Sequence, residues 1–465
     1  MKVSSDELLK ILGGRLVADS RTAPLADLET VSTDSRTVQP GDIFFALVGE
    51  SFDAHDFLQD VAAAGAQVIV VSKDVPAPGG VAVVQVKDTL MALGDLAAWW
   101  RGKNAHVPVL AVVGSSGKTT TKEMLAHIVG ASRNLLWTQG NLNNLIGLPH
   151  TLFALEPEHE VMVLELGMNV PEENRRLTQI AQPNGLLLTN INHAHCGMFE
   201  SLDAHFEAEA EPLTAISDEC LVILNRDDEL SMKAWDRFGG AQKTTHFAVD
   251  GPADYRVSEI RQVEPFGYGL TVAGPGGETA RLNLPVFGRH NIANAVAALA
   301  GAAFLGVSLS DAAARLESFK PGLSRSEVEQ VGGIWVVKDY YNAIPAAVIS
   351  TLESLADMHV AGRRLVVLGG MNELGEHELK YHREVADAAC GAGIDHLLTY
   401  AAKGRMIAER ALELGQRTTH FDDLPALAES ILNEAKPGDL LLIKGSRSLR
   451  LEKLFDLIKS ALAEA

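Results

Sequence analysis

Ala111-Val112-Val113-Gly114-Ser115-Ser116-Gly117-Lys118-Thr119-Thr120-Thr121 is the stretch on which the fold turns. The apolar run 107–113 predicts a buried strand, Gly-Ser-Ser-Gly a tight turn, and Lys118 the start of a helix. A strand, loop and helix in that order cradle a nucleoside triphosphate, because backbone N–H groups at the helix N-terminus point at phosphate oxygens. Gly114, Ser115, Ser116, Gly117, Lys118, Thr119 and Thr120 are therefore the candidate ATP-binding residues. Lys118 would reach the terminal phosphates, and the Thr119 or Thr120 hydroxyl would bind Mg²⁺. The match is to the short form GxxGKTT; the longer pattern wants a glycine where Val112 stands.

The chain has 465 residues, too many for one core, so several domains are expected. A net charge of −20 argues against a nucleic-acid or anionic-membrane partner, and an anionic substrate would need a locally basic cleft. Cys196, Cys220 and Cys390 are scattered and form no CxxC pair, which suits a reducing cytoplasm. The opening Met1-Lys2-Val3-Ser4-Ser5-Asp6-Glu7 carries acids and no apolar signal core. No apolar run approaches membrane-spanning length, so no membrane insertion is expected.

Alternating strand and helix patterns predict an α/β protein of three domains, at 1–104, 105–318 and 319–465. The first is small: a helix over Asp6–Leu12, a strand over Ile43–Val48, a helix from Ser51 to Ala64 and a strand over Ala66–Val71. Asp34, Ser35 and Arg36 sit beside its turn, where they either meet a ligand or pair locally. In the second, a mostly parallel sheet, Thr138 to Pro149 holds Asn141, Asn143 and Asn144 between glycines, a loop suited to presenting amides. Val161–Gly167 predicts a strand carrying Glu165, and an acid at a parallel strand's carboxyl end faces the ligand crevice, where it could bind Mg²⁺. His193, His195 and Cys196 lack a second ligand cluster of zinc spacing, so a histidine near a Mg²⁺–phosphate site is the better expectation. Asn291 and Asn294 share the first turn of an alanine-rich helix. The third, a doubly wound Rossmann-like sheet, has strand ends carrying Asp339, Asn342, Lys444 and Arg447, a second ligand-facing edge with a cationic tip.

The ordered motifs GSSGKTTTKEM, TQGNLNNLIGLP, ELGM, TNINHAH, FGRHNIANAVAA, KDYYNAIP, LGGMNELGEH and KGSRSLRLEK resemble the Mur ligase family, and TDSRTVQPGDIFFALVGESFDAHDF is similar to its uridine-nucleotide-binding domain. The resemblance covers almost the whole chain. It implies a cytoplasmic ATP-dependent amide ligase of peptidoglycan precursor synthesis, with ATP and Mg²⁺ as requirements. The tripeptide carboxylate of a UDP-N-acetylmuramoyl-tripeptide takes the γ-phosphate, and the D-alanyl-D-alanine amine then displaces phosphate from the acyl phosphate. A monomer is expected. It also implies roles. Lys118, Glu165 and His195 are catalytic; Thr119, Glu165 and His195 serve the metal. Asn291, Asn294, Asp339, Tyr341 and Asn342 contact ATP, while Ser35, Arg36, Thr138, Asn141 and Asn144 face the UDP substrate. Three positions depart from the family. Glu209 stands where it carries a carbamylated lysine, and is expected to support a second Mg²⁺ through water or to join a solvated Glu207-Glu209-Glu211 face. Tyr341-Asn342-Ala343-Ile344-Pro345 replaces YNANP, and Leu368-Gly369-Gly370-Met371 replaces LGDM. The DNPR motif of diaminopimelate-adding relatives does not occur. Folylpolyglutamate synthase, a more distant relative, lacks a first domain of this type. Two alternatives stay open: another Mur-type amino-acid ligase, and a degenerate homologue that only binds nucleotide or muramoyl peptide.

Overall fold

Strand Val109–Val113 buries all five of its side chains, the pattern of a strand covered on both faces of a parallel sheet. The computed structural model describes residues 1–20, 28–192, 198–322 and 324–464. Val109–Val113 pairs in parallel with Val161–Glu165 on one side and Gly185–Leu188 on the other. Leu135–Trp137 extends the sheet beyond the first, and Leu221–Asn225, Thr244–Ala248 and Tyr255–Val263 extend it in parallel beyond the second. The sheet then turns antiparallel through Gly267–Ala273 and Thr279–Leu284, giving nine strands. Helices Lys118–Gly130 and His290–Phe304 pack together against one face, where Leu125, Ile128, Val296 and Leu299 are fully buried.

Two further sheets flank this one. The first has five strands in the order Arg15–Asp19, Ala82–Gln85, Val68–Val71, Ile43–Phe45, Val31–Ser32. The strand expected over Ile43–Val48 stops at Phe45, because the chain leaves the sheet to bridge Val48 with Asp53. The helix expected from Ser51 begins instead as a 3₁₀ turn over Ala54–Phe57, capped by the Asp53 side chain, and becomes α-helical over Leu58–Ala63. Fully buried Arg101, on helix Thr89–Lys103, ties this part to the central sheet. Its guanidinium donates to the carbonyls of Ala181, Asn104 and Gln182 and to Asn184 Oδ1.

The last sheet runs Glu327–Val331, Ile334–Asp339, Leu440–Lys444, Arg364–Gly369, His396–Tyr400, Thr418–Phe421, with only the first strand antiparallel. Its switch point lies where Ile334–Asp339 and Arg364–Gly369 flank Leu440–Lys444. The register there sets Asp339 opposite Lys444 at the carboxyl ends, the edge where doubly wound sheets bind ligands. The structure is thus mixed α/β with three mostly parallel sheets, as expected. Among the described residues, no helix is long and apolar enough to cross a membrane.

Candidate active site

Both sheets aim their carboxyl ends at one cavity of about 650 Å³. Ser115 to Thr120 line it, together with Asn141, Asn143, Asn144, Glu165, Asn291 and Asn294 from the central unit. Arg325, Asp339, Tyr341, Asn342 and Lys444 line it from the third.

The phosphate loop owes its shape to two glycines. Gly114 has φ +122°, and a Cβ there would lie 2.4 Å from Thr189 Oγ1; it packs behind the loop rather than on the cavity wall. Gly117 caps helix Lys118–Gly130 in the left-handed conformation, φ +79°, with Asn294 Oδ1 where a Cβ would be. The first N–H groups of that helix have no intrahelical acceptor and carry the positive end of its dipole. Lys118 folds its ammonium back onto the carbonyls of Gly114 and Ser115, poised over the loop.

Glu165 ends its strand almost fully buried. Its Oε1 accepts from Thr119 Oγ1 at 3.0 Å and from Asn143 Nδ2 at 2.8 Å. Its Oε2 is buried without a hydrogen bond among the described residues and lies 3.8 Å from Lys122 Nζ. Lys122, fully buried, donates to the Thr138 carbonyl at 2.8 Å and pairs with Glu123 at 2.6 Å. The sequence signal for Lys122 is its position three and seven residues before the buried Leu125 and Val129, which puts it on the inner helix face. The Thr119 hydroxyl and the Glu165 carboxylate, with its Oε2 unused, are oxygen donors of the kind that fit Mg²⁺. His195, assigned to the same metal, lies outside the described residues, as do His193 and Cys196.

Thr138, expected to face the UDP substrate, stands beside the metal-site acid. It is fully buried, and its Oγ1 accepts from Glu165 N at 3.0 Å: the hydroxyl satisfies the backbone beside the acid instead. Asn141 and Asn144 do line the cavity, while Asn144 Oδ1 also accepts from Ile146 N and Gly147 N. Ser35 and Arg36 stand away from the cavity. Arg36 donates to Asp34 through Nε at 2.8 Å and Nη2 at 2.6 Å, and these bonds hold the Asp34 carboxyl down at about 2.

Asn291 and Asn294 hold one another, Nδ2 of Asn294 donating to Oδ1 of Asn291 at 2.9 Å. Opposite them, Lys444 Nζ meets Asp339 Oδ2 at 2.6 Å. Burial raises the Asp339 carboxyl, but the charge and hydrogen bond of Lys444 outweigh it, and the net shift is downward. Lys444 is therefore bound to an acid rather than offered as a free cation, and Arg447 is exposed with Glu452 at 3.2 Å; the expected cationic tip does not form. Among the described residues, the positive charge on this wall with no acidic partner is Arg325, whose guanidinium lies 3.9 Å over the Tyr341 ring. Burial, chiefly, drives the His290 imidazole down to about 4.

Each departure has a defined local setting. A Cβ at Gly370 would lie 2.3 Å from Lys403 Cβ, so no aspartate fits there. Ile344 precedes Pro345 in the extended conformation, as a residue before proline prefers, and its apolar side chain gives helix Pro345–Asp357 no cap. Glu209 is buried and accepts from Ser115 Oγ at 2.7 Å. Glu211, also buried, accepts from Glu172 N and Arg175 N. Only Glu207, paired with Arg237, is solvated, so the three acids do not share an exposed face.

The family descriptions Mur ligase family catalytic domain, Mur ligase middle domain, and Mur ligase glutamate ligase domain match residues 27–101, 112–302 and 324–447. The UDP-N-acetylmuramoyl-tripeptide–D-alanyl-D-alanine ligase of Escherichia coli K12 is 35% identical over 460 residues, 98% of either chain. The chain belongs to the Mur ligase family. Among solved members of that family, the MurF of Acinetobacter baumannii superposes with a TM-score of 0.89 at 32% identity over 99% of each chain. The MurF ligase of Thermotoga maritima in complex with ADP superposes at 0.83 with 25% identity, covering 94% of this chain and 98% of that one.

Proposed function

We propose that this Mur ligase joins D-alanyl-D-alanine to a UDP-N-acetylmuramoyl-tripeptide at the expense of ATP, through an acyl phosphate, in cytoplasmic peptidoglycan precursor synthesis. The observation that carries the proposal is the shared cavity, which sets a phosphate loop against the third sheet's carboxyl edge in a chain alike end to end with ligases of that name. ATP lies with its phosphates on Ser115–Thr120 and with Asn291, Asn294, Asp339, Tyr341 and Asn342 around the rest. Thr119 and Glu165 hold Mg²⁺, with His195 as a further ligand. The bound ion supplies charge neutralisation to the triphosphate.

A carboxylate and a triphosphate repel, so the approach needs cations placed in advance. Lys118 stands at the loop for the terminal phosphates, and Arg325 is a cation on the opposite wall. Lys122 and Asn143 fix the Glu165 carboxylate in place. The tripeptide carboxylate oxygen forms a bond to the γ-phosphorus while the bond to the β–γ bridging oxygen breaks, leaving ADP. The amine then bonds to the acyl carbon and phosphate departs with the transferred oxygen. An acyl phosphate hydrolyses in water, so walls contributed by two sheets serve to exclude solvent. Ser35, Arg36, Asn141 and Asn144 face the UDP substrate, and the domain limits are 1–104, 105–318 and 319–465. The chain works as a monomer.

An ADP-release assay tests this. Release should require both the UDP-N-acetylmuramoyl-tripeptide and D-alanyl-D-alanine, with a stoichiometric pentapeptide product. ADP release that ignores the dipeptide, or none with every substrate present, overturns the proposal.

A further inference from the structure

The phosphate loop is not held by its own helix alone. Ser115 N donates to the Asn190 carbonyl at 2.9 Å. Ser116 N and Oγ both donate to Asn190 Oδ1, at 3.2 and 2.9 Å. Thr189 Oγ1 and Asn190 Nδ2 reach back to the Ser116 carbonyl, and Asn192 Nδ2 donates to Ser116 Oγ. Segment 189–192 is thus a second layer beneath the loop.

The side chain that links this layer to the rest of the protein is Ser115. Its hydroxyl lies 2.7 Å from Glu209 Oε1 and 3.2 Å from the Asn192 carbonyl, and accepts from Asn192 N at 2.9 Å. A serine hydroxyl has one hydrogen. The carboxylate, closer and anionic, takes it, which leaves a lone pair for Asn192 N–H. The buried acid thereby fixes the Ser115 hydroxyl, which accepts from Asn192 N, while Asn192 Nδ2 donates on to Ser116 Oγ. Glu209 is itself fixed: it is 4% exposed, on helix Leu202–Ala215. His205, one turn earlier and edge-on to Phe199, is 3.8 Å from the same oxygen.

We propose that Glu209 is a positioning residue for the ligation reaction: its carboxylate clamps Ser115 and, with Asn190 holding the Ser115 and Ser116 amides, pre-sets the shape of the phosphate loop that leads into the helix N-terminus facing the nucleotide. The proposal rests on the ATP-dependent reaction above but is not a metal-ligand role, since it needs only an acceptor oxygen at that place.

The test compares Glu209→Ala, Glu209→Gln, Ser115→Ala and the Glu209→Ala/Ser115→Ala double variant of the full chain. Two readouts are used: ADP affinity by titration calorimetry, which needs no turnover, and KM for ATP against kcat. Glutamine keeps the acceptor and the reach, and guards against a fold lost in Glu209→Ala. The clamp predicts an approximately tenfold or greater loss of ADP affinity, with a matching rise in KM for ATP, in Glu209→Ala and in Ser115→Ala. The double variant should be no worse than the weaker single, because both remove the same bond. Glu209→Gln should stay within about threefold of the parent. Additive losses, an unchanged ADP affinity in Glu209→Ala, or a Glu209→Gln as impaired as Glu209→Ala would overturn it. A parent that binds ADP but does not ligate would refute the proposed reaction while leaving the calorimetric comparison intact.

Discussion

Gly117→Ala probes the phosphate loop by geometry alone. At φ +79° an alanine pays the left-handed penalty, roughly 1–2 kcal/mol. Its Cβ would also lie 2.3 Å from Asn294 Oδ1, about an ångström inside ordinary contact. Asn294 cannot swing away freely, because its Nδ2 is held by Asn291 and its Oδ1 lies 3.4 Å from Thr121 Oγ1. Overpacking of this kind costs about 1–3 kcal/mol more. Gly415 is the control: its φ is +80°, with nothing within 4 Å of the added carbon, so Gly415→Ala bears the strain without the clash. The excess at Gly117 falls on the loop that faces phosphate, and about 1.4 kcal/mol of it suffices for a tenfold effect. Calorimetric titration with ADP and Mg²⁺ should therefore show at least a tenfold weaker affinity for Gly117→Ala and none of that loss for Gly415→Ala. Equal affinities in the two variants would refute the reasoning.

Lys118→Ala should cost on the order of a hundredfold or more in ATP-dependent ligation while the thermal midpoint barely moves, since among the described residues its ammonium bonds only to loop carbonyls; steady-state kinetics beside a melting curve check it. Arg36→Ala should raise KM for the UDP substrate and leave that for ATP alone, because Arg36 lies away from the ATP cavity, paired with Asp34; a rise confined to ATP would misplace the UDP site. His290 has a folded-state pKa of about 4, below its ordinary value near 6.5, so the unfolded chain binds the extra proton first. Its contribution to stability is complete above pH 6.5 and is lost as pH falls toward 4. Denaturant titrations of the parent and His290→Gln should converge across that window, and parallel profiles would contradict the burial.

Much of this architecture was legible because its signals are local. The apolar run before Gly114 and the Gly-Ser-Ser-Gly turn encode the strand and loop without tertiary help, and Glu165 follows from its place at a strand end. Strand limits were less legible: nothing local in Ile43–Val48 says that the chain leaves the sheet after Phe45 to bridge Val48 with Asp53. Side-chain partnerships were hardest, since they join distant residues. Lys444 reads as a phosphate cation until Asp339, 105 positions away, is seen to hold it. Nothing in the sequence around Thr138 shows that Glu165 N donates to it. Glu209 sits between two other acids in sequence, and only the fold separates the three: one on the phosphate loop, one capping a helix, one in solvent.

In the proposed reaction a substrate carboxylate oxygen attacks the γ-phosphate in this cavity. The most direct measurement is isotope transfer: the tripeptide substrate is labelled with ¹⁸O in its terminal carboxylate, turned over with ATP and D-alanyl-D-alanine, and the released phosphate is analysed by mass spectrometry. An acyl phosphate route leaves one labelled oxygen in the phosphate for each amide formed from doubly labelled carboxylate. Amide formation with unlabelled phosphate would contradict it.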